Sequence, residues 1–201
     1  MVSLRIISGT HRGRPLKAVP SDRTRPTSDK VKEAVFHRIG PYFDGGWGLD
    51  LFAGSGSIGI EGLSRGLDRV IFVDRQAAAI RTIRENLTAT GLNDRAEVLK
   101  LDWKKAFRLL PERGSVFRLI WVDPPFARKE IYREVLDAVS AHHLLTDDGV
   151  LVCEHERGID LPGELGELKL WKRNNYGTIG ITIYRRKENE NGTDRRLSGK
   201  L

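Results

Sequence analysis

Asp50-Leu51-Phe52-Ala53-Gly54-Ser55-Gly56-Ser57-Ile58-Gly59 is the stretch whose reading decides the fold. An apolar run enters it, helix-like sequence leaves it, and Gly54 and Gly56 stand at the junction. Glycine lets a backbone turn sharply and come close to a ligand. A helix starting there offers unpaired N–H groups and the positive end of its dipole. The stretch therefore reads as the seat of a nucleotide-like cofactor. The G-x-G-x-x-G spacing alone does not name the ligand, because several enzyme classes and accidental turns share it.

Outward from this stretch the chain alternates strand and helix. Residues 47–53 predict a short buried strand and 58–65 a helix closed by Gly66. A second strand (69–74) precedes a helix over 76–90 that Gly91 stops. Strands are expected at 96–102, 117–123 and 149–156, separated by helices at 103–110 and 129–142. Apolar strands spaced by helices mean parallel βαβ units with helices on both faces of one sheet. The ending differs: residues 167–174 and 178–186 are strand-like, with only the Asn174–Gly177 turn between them, so they should pair antiparallel. Ile179, Ile181 and Ile183 give the last strand a core face. The expected fold class is α/β, a doubly wound, Rossmann-like sheet of seven strands with the last antiparallel.

The N-terminus predicts an extension to that sheet. Residues 3–17 read as a hairpin whose rim carries Arg12, Arg14 and Lys17. Pro26 then breaks the chain, and Thr27, Ser28 or Asp29 can cap a helix. Val31, Val35 and Ile39 recur at helical spacing with Ala34 and Phe36 beside them. Lys30, Lys32 and Arg38 should face outward. Residues 1–42 are thus expected to form a basic hairpin and helix, 43–186 the sheet domain, and 187–201 a disordered basic tail.

At 201 residues the chain can bury one ordinary core. No apolar stretch approaches the roughly 20 residues that span a membrane, and no signal peptide opens the sequence, so a cytoplasmic protein is expected. One cysteine, Cys153, excludes an internal disulfide and fits a reducing compartment. Cys153 lies in a strand and is expected simply to pack. His142-His143 and Cys153-x-His155 do not complete a ligand set, so no metal is expected. The net charge of +7 is concentrated at the ends: residues 1–40 carry nine Lys/Arg against three Asp/Glu, and 185–201 six against three. A slightly acidic body with basic ends predicts a polyanionic partner such as nucleic acid.

In a doubly wound sheet, ligands bind beyond the carboxyl ends of the strands, where strand order reverses. Asp50, Asp74, Asp102 and Asp123 close or end four consecutive strands, so all four should gather on one edge. Asp123-Pro124-Pro125-Phe126 carries the sharpest signal. Two prolines fix φ and remove two donors, leaving the Asp123 carboxylate and the Pro124 carbonyl as rigid acceptors beside an aromatic ring. Such a group suits a planar base with an exocyclic amine.

DLFAGSGSIG, the strand ending at Asp74, Asp102 and DPPF together resemble the S-adenosylmethionine-dependent methyltransferases that modify amino nitrogens of bases. RIISGTHRGRPL, RPTSDKVKEAVFHRI and YGTIGITIY are similar to the RsmD family of 16S rRNA guanine-N2 methyltransferases, over residues 3–185. The resemblance implies a cofactor site made of Asp50, Phe52, Ala53, Gly54, Ser55, Gly56, Asp74, Arg75, Asp102 and Trp103. Asp50 and the glycine loop would hold the methionine end, Asp74 the ribose, and Asp102 with Trp103 the adenine. Asp123 and the Pro124 carbonyl would accept from the guanine amine, Pro125 would stiffen the turn, and Phe126 would stack on the base. Arg5, Arg12, Arg14, Arg23 and Arg25 would contact RNA phosphates, the partner being 16S rRNA in a small subunit or its assembly intermediate.

Three rival readings share parts of this pattern. A DNA N6-adenine methyltransferase would use the same DPPF chemistry, but no insertion is large enough for a separate target-recognition domain. A dehydrogenase would use the glycines and Asp74, but no hydride-transfer constellation follows. A non-catalytic RNA-binding module has no use for DPPF.

Overall fold

The computed structural model describes residues 4–20, 27–125 and 129–187. Arg23, Arg25, Phe126 and the expected tail from residue 188 lie outside the described residues. The chain opens with β1 (Leu4–Arg5) and β2 (Pro15–Leu16), which pair antiparallel, followed by α1 (Asp29–Ile39). The alternating part comprises β3 (Trp47–Asp50), α2 (Ser57–Ser64), β4 (Arg69–Asp74), α3 (Ala77–Thr90), β5 (Ala96–Lys100), α4 (Trp103–Glu112), β6 (Phe117–Val122), α5 (Lys129–Ala141) and β7 (Leu145–Glu156). β8 (Glu164–Leu165), β9 (Leu168–Tyr176) and β10 (Ile179–Arg186) complete it.

One sheet runs β5-β4-β3-β6-β7-β10-β9-β8. Its first five strands are parallel, and β10 lies antiparallel to both β7 and β9. The two-residue β8 adds an eighth strand at the edge that sequence pattern does not reveal. From β3 the chain winds outward to β5 and then returns to β6 on the other flank of β3, so strand order reverses between β3 and β6. That crevice is where such a sheet receives ligands.

Strand alternation sorts the core into two layers. Val70 and Phe72 of β4 and Leu119 and Trp121 of β6 pack with α1, α2 and α3 on one face. Ile71, Val73, Ile120 and Val122 pack with α4 and α5 on the other. The N-terminal helix therefore covers the same face as the helix that follows the glycines. Phe36 of α1 stacks on Trp121, with ring centroids 5.9 Å apart. Val31, Val35, Phe36 and Ile39 are all buried, a gross hydrophobic contribution of roughly 6–12 kcal/mol. Ser28 caps α1, its side chain accepting from the Val31 N–H.

Lys32 departs from expectation. It does not face solvent but is fully buried, its Nζ donating to the Arg5 carbonyl at 2.7 Å and lying 3.4 Å from Glu61 Oε2. Helical spacing placed it beside the apolar stripe, and the buried carboxylate of Glu61 together with the Arg5 carbonyl makes that position tolerable for an ammonium. Among the described residues no helix is long and apolar enough to cross a membrane.

Candidate active site

The loop from Leu51 to Gly56 is tied down from behind and left open in front. The Leu51 N–H still donates to the Trp121 carbonyl and the Ala53 N–H to the Val73 carbonyl, so the loop leaves the sheet at the β3–β6 crevice. Gly54 and Gly56 adopt φ of +52° and +76°, a region that L side chains rarely occupy. A side chain at Gly54 would meet only open space, whereas one at Gly56 would press on Phe72 and Ile83. The Asn86 side-chain amide holds the Ser55 carbonyl at 2.9 Å. Phe52 is half-buried and packs on the α4–α5 side of the core.

Asp50 is buried beneath this loop, and its Oδ2 accepts from the Gly59 N–H at 3.0 Å. The acceptor that satisfies a donor at the start of α2 is thus supplied by the protein itself. Burial pushes the Asp50 carboxyl up to about 7, with the Gly59 N–H opposing and the Asp74 charge adding to the shift. Asp74 bridges two loops: Oδ2 accepts from the Gly54 N–H at 3.0 Å and Oδ1 from the Gln76 N–H at 2.8 Å. Asp102 lies two residues past β5 and caps α4, accepting from the Lys104 N–H at 3.0 Å. Trp103, half-buried, stands edge-on to Phe107. Arg75 is exposed.

Asp123 follows β6 directly, half-buried, between buried Val122 and buried Pro124, while Pro125 is exposed. The structure therefore brings Asp50, Asp74, Asp102 and Asp123 to the carboxyl ends of β3, β4, β5 and β6, on one edge. Asp123 is pushed well above the usual carboxylate range, first by burial and then by the charges of Glu154 and Asp50. Glu154, on β7, is a neighbour that sequence pattern does not single out; its Oε2 accepts from Thr27 Oγ1 at 2.7 Å. A charged residue inside the apolar run GVLVCEHE was the available signal.

The N-terminal arm is fastened rather than loosely attached. Glu61 of α2, fully buried, accepts from the backbone N–H groups of Ile7 and Ser8 at 2.8 and 3.0 Å. Ser64 and Asn86 hold the Ser8, His11 and Lys17 backbone. Of the expected phosphate-contacting residues, Arg5 pairs with Asp29 at 3.0 Å and Arg14 donates to the Thr90 carbonyl at 3.0 Å. Arg12 is exposed in the hairpin turn. Two of the histidines named above have ordinary partners: His143 lies 2.8 Å from Glu167, and His155 bridges the Glu156 carbonyl and Thr182. Cys153 is buried, its thiol pushed up by that burial.

The chain has known relatives. A family model described as "Conserved hypothetical protein 95" matches residues 4–185. The chain belongs to this family. Within 92% of its length it is 45% identical to a Bacillus subtilis protein named "Putative rRNA methyltransferase YlbH", covering all of that protein. It is also 31% identical to "Ribosomal RNA small subunit methyltransferase D" of Escherichia coli, over 91% of this chain and 90% of that one. Among solved structures, "Putative methyltransferase yhhF from Escherichia coli" superposes with a TM-score of 0.76 at 29% identity, over 92% of this chain and 98% of that one. The α/β fold with its N-terminal hairpin is therefore that of a family whose relatives carry methyltransferase names.

Proposed function

We propose that this chain transfers a methyl group from S-adenosylmethionine to the exocyclic N2 of a guanine in 16S rRNA. The observation that carries the reading is the pair of acceptors at Asp123-Pro124, fixed at the end of β6 beside the strand-order reversal, in a chain whose relatives are named for small-subunit rRNA methylation. The N6-adenine reading on DNA is not favoured by those names.

The residues of the crevice fit the cofactor. The front of Gly54 is open, and the carboxyls of Asp50, Asp74 and Asp102 line one edge. In this reading Asp74 accepts from the ribose hydroxyls and Asp102 with Trp103 contacts the adenine. Asp50 and the Gly54–Gly56 loop hold the methionine end, and Phe52, Ala53 and Arg75 complete the cofactor site. S-adenosylmethionine supplies the methyl group on a sulfonium. The protein's own task is positioning. A guanine amine is a poor nucleophile because its lone pair is delocalised into the ring. Accepting both amine hydrogens, at the Asp123 carboxylate and the Pro124 carbonyl, aims that lone pair for in-line displacement. Phe126 would stack on the base, which must leave its own stack to reach the crevice.

Residues 1–42 serve in this reading as the RNA-contacting extension, 43–186 as the methyltransferase domain and 187–201 as a basic tail. Arg12, exposed on the hairpin, is the described arginine best placed for a phosphate. Arg5, Arg14, Arg23 and Arg25 complete the proposed set, Arg5 and Arg14 by exchanging their internal partners for phosphate. The reaction belongs to the cytoplasm, where ribosomes assemble. Incubation with cofactor and partly assembled small subunits should yield N2-methylguanine, and Asp123→Ala should abolish the product while RNA binding persists. N6-methyladenine in DNA as the sole product would overturn the reading.

A further inference from the structure

A second carboxyl lies beside the amine acceptor, and the positioning chemistry above does not use it. Cys153 pairs with Val122, so Asp123 and Glu154 follow side by side on neighbouring parallel strands. Strand alternation puts Glu154 on the face of Val150 and Val152, and Asp123 on that of Leu119 and Trp121, which is the α1 face. There the Thr27 hydroxyl, just ahead of α1, donates to Glu154 Oε2 at 2.7 Å. From the opposite face Tyr132 Oη donates to the Glu154 backbone carbonyl at 2.7 Å and pins the strand. Glu154 is 7% exposed and has no cationic partner among the described residues. A buried acid without a cation is a poor structural choice, since a well-packed apolar residue would serve stability better.

We propose that Glu154 is a positioning residue for Asp123: the two carboxyls, with Thr27 tethering one of them, act as a unit that takes up the proton lost from the amine. The proposal rests on Asp123 being the amine acceptor. In the transfer the carbon–sulfur bond breaks with its electron pair remaining on sulfur, and the new bond forms from carbon to N2. N2, now carrying the positive charge, gives up one proton to the Asp123 carboxylate, which passes it to solvent. Asp123 can do this only when ionised. A neighbouring negative Glu154 opposes that ionisation, and the Thr27 hydrogen bond favours Glu154 as the partner that keeps the charge. Burial and the like charge beside it both push Asp123 upward, and burial pushes Glu154 to about 7. The charge of Asp50 on β3 also acts on Asp123, and on the opposite face of the strands lie Cys153 and Tyr132, the latter with His155 edge-on to it.

The test follows the carboxyl carbon of Asp123 by NMR in cofactor-free protein, assigned with Asp123→Asn, and the pH dependence of N2-guanine methylation. In Glu154→Gln the like charge is gone, so the Asp123 midpoint and the acid limb of the rate should both move down by about one pH unit, a tenfold change in proton affinity. Thr27→Val should move them the same way, because a Glu154 that has lost its Thr27 hydrogen bond takes more of the shared proton and frees Asp123. Glu154→Asp keeps the charge and should keep the wild-type limb. A merely structural Glu154 would lower the melting temperature and the rate at every pH and leave both midpoints unmoved, which would overturn the proposal. If Glu154→Gln does not fold, Thr27→Val decides by the same criterion. Absence of N2-methylguanine with the wild-type protein would instead refute the function, and the NMR titration stands apart from that outcome.

Discussion

Glu61→Ala should be among the most damaging single changes outside the crevice. Its carboxylate serves Arg65 Nε at 2.7 Å, Lys32 Nζ at 3.4 Å and the N–H groups of Ile7 and Ser8. Lys32 and Glu61 are fully buried and Arg65 is 4% exposed. Removing the one anion leaves two buried cations uncompensated, which costs about 3–5 kcal/mol, and strands two backbone donors besides. For a chain of this size each kcal/mol moves the melting temperature by about 2–4 °C, so a fall of about 6–20 °C is expected. Lys32→Met makes the contrast. The cluster holds two cations to one anion, Lys32 is the more distant of the pair, and burial already pushes its ammonium down. Its loss leaves Glu61 balanced by Arg65 but takes the donor from the Arg5 carbonyl, so the cost should be about 1–3 kcal/mol, below that of Glu61→Ala. Urea unfolding at pH 7 measures both variants, and hydrogen exchange at the Ile7 and Ser8 amides reports whether the arm loosens in Glu61→Ala. Equal losses in the two variants, or a loss under about 1 kcal/mol in Glu61→Ala, would refute the charge accounting.

Asp50, at about 7 when folded against about 3.9 unfolded, binds a proton in the native state that the unfolded chain has shed. The stability it confers is therefore complete below about pH 4 and lost as pH rises through 7. Asp50→Asn should remove up to about 4 kcal/mol of that slope, as read by urea unfolding between pH 4 and 7.5; an unchanged slope would refute it. Gly59→Ala would set a methyl 2.3 Å from Phe72 Cε1, in a fully buried ring, and should cost about 1–3 kcal/mol in thermal unfolding. Cys153 should resist iodoacetamide at pH 7.5 in the folded protein and react only after denaturation, as mass spectrometry would show. Rapid labelling of native protein would contradict its burial.

The sheet was legible because its parallel strands are buried on both faces and so read as continuous apolar runs, while the helices between them carry ordinary amphipathic stripes. The positions of Asp50, Asp74, Asp102 and Asp123 followed from strand ends alone. Their hydrogen bonds did not: Asp74 and Asp102 accept from backbone N–H groups, and a strand-end position does not reveal that use. The two-residue β8 was illegible because so short a strand has no period. Lys32 and Glu154 were misread or passed over for one reason. Each is a charge tolerated in an apolar setting by a partner distant in sequence, Glu61 in one case and Thr27 in the other, and local pattern carries no information about such partners.

Those two partnerships explain why the arm and the sheet domain can be expected to work as one enzyme. The backbone of residues 7 and 8 hangs on Glu61 of α2, the helix that begins at the glycine loop, and Thr27 at the other end of the arm hangs on Glu154 beside Asp123. In the proposed reading, RNA that pulls on the arm would pull on α2, which begins at the glycine loop, and on Glu154 beside Asp123. Arm contacts of this kind should raise the rate of methyl transfer as well as RNA affinity. Arg12→Ala, which touches neither anchor, should weaken RNA binding and reduce its salt dependence by about one phosphate contact. Thr27→Val should leave RNA binding nearly unchanged and alter only the pH dependence of transfer. Equal effects of the two variants on binding would mean that the arm grips RNA as a single surface, with no separate connection to the catalytic strand.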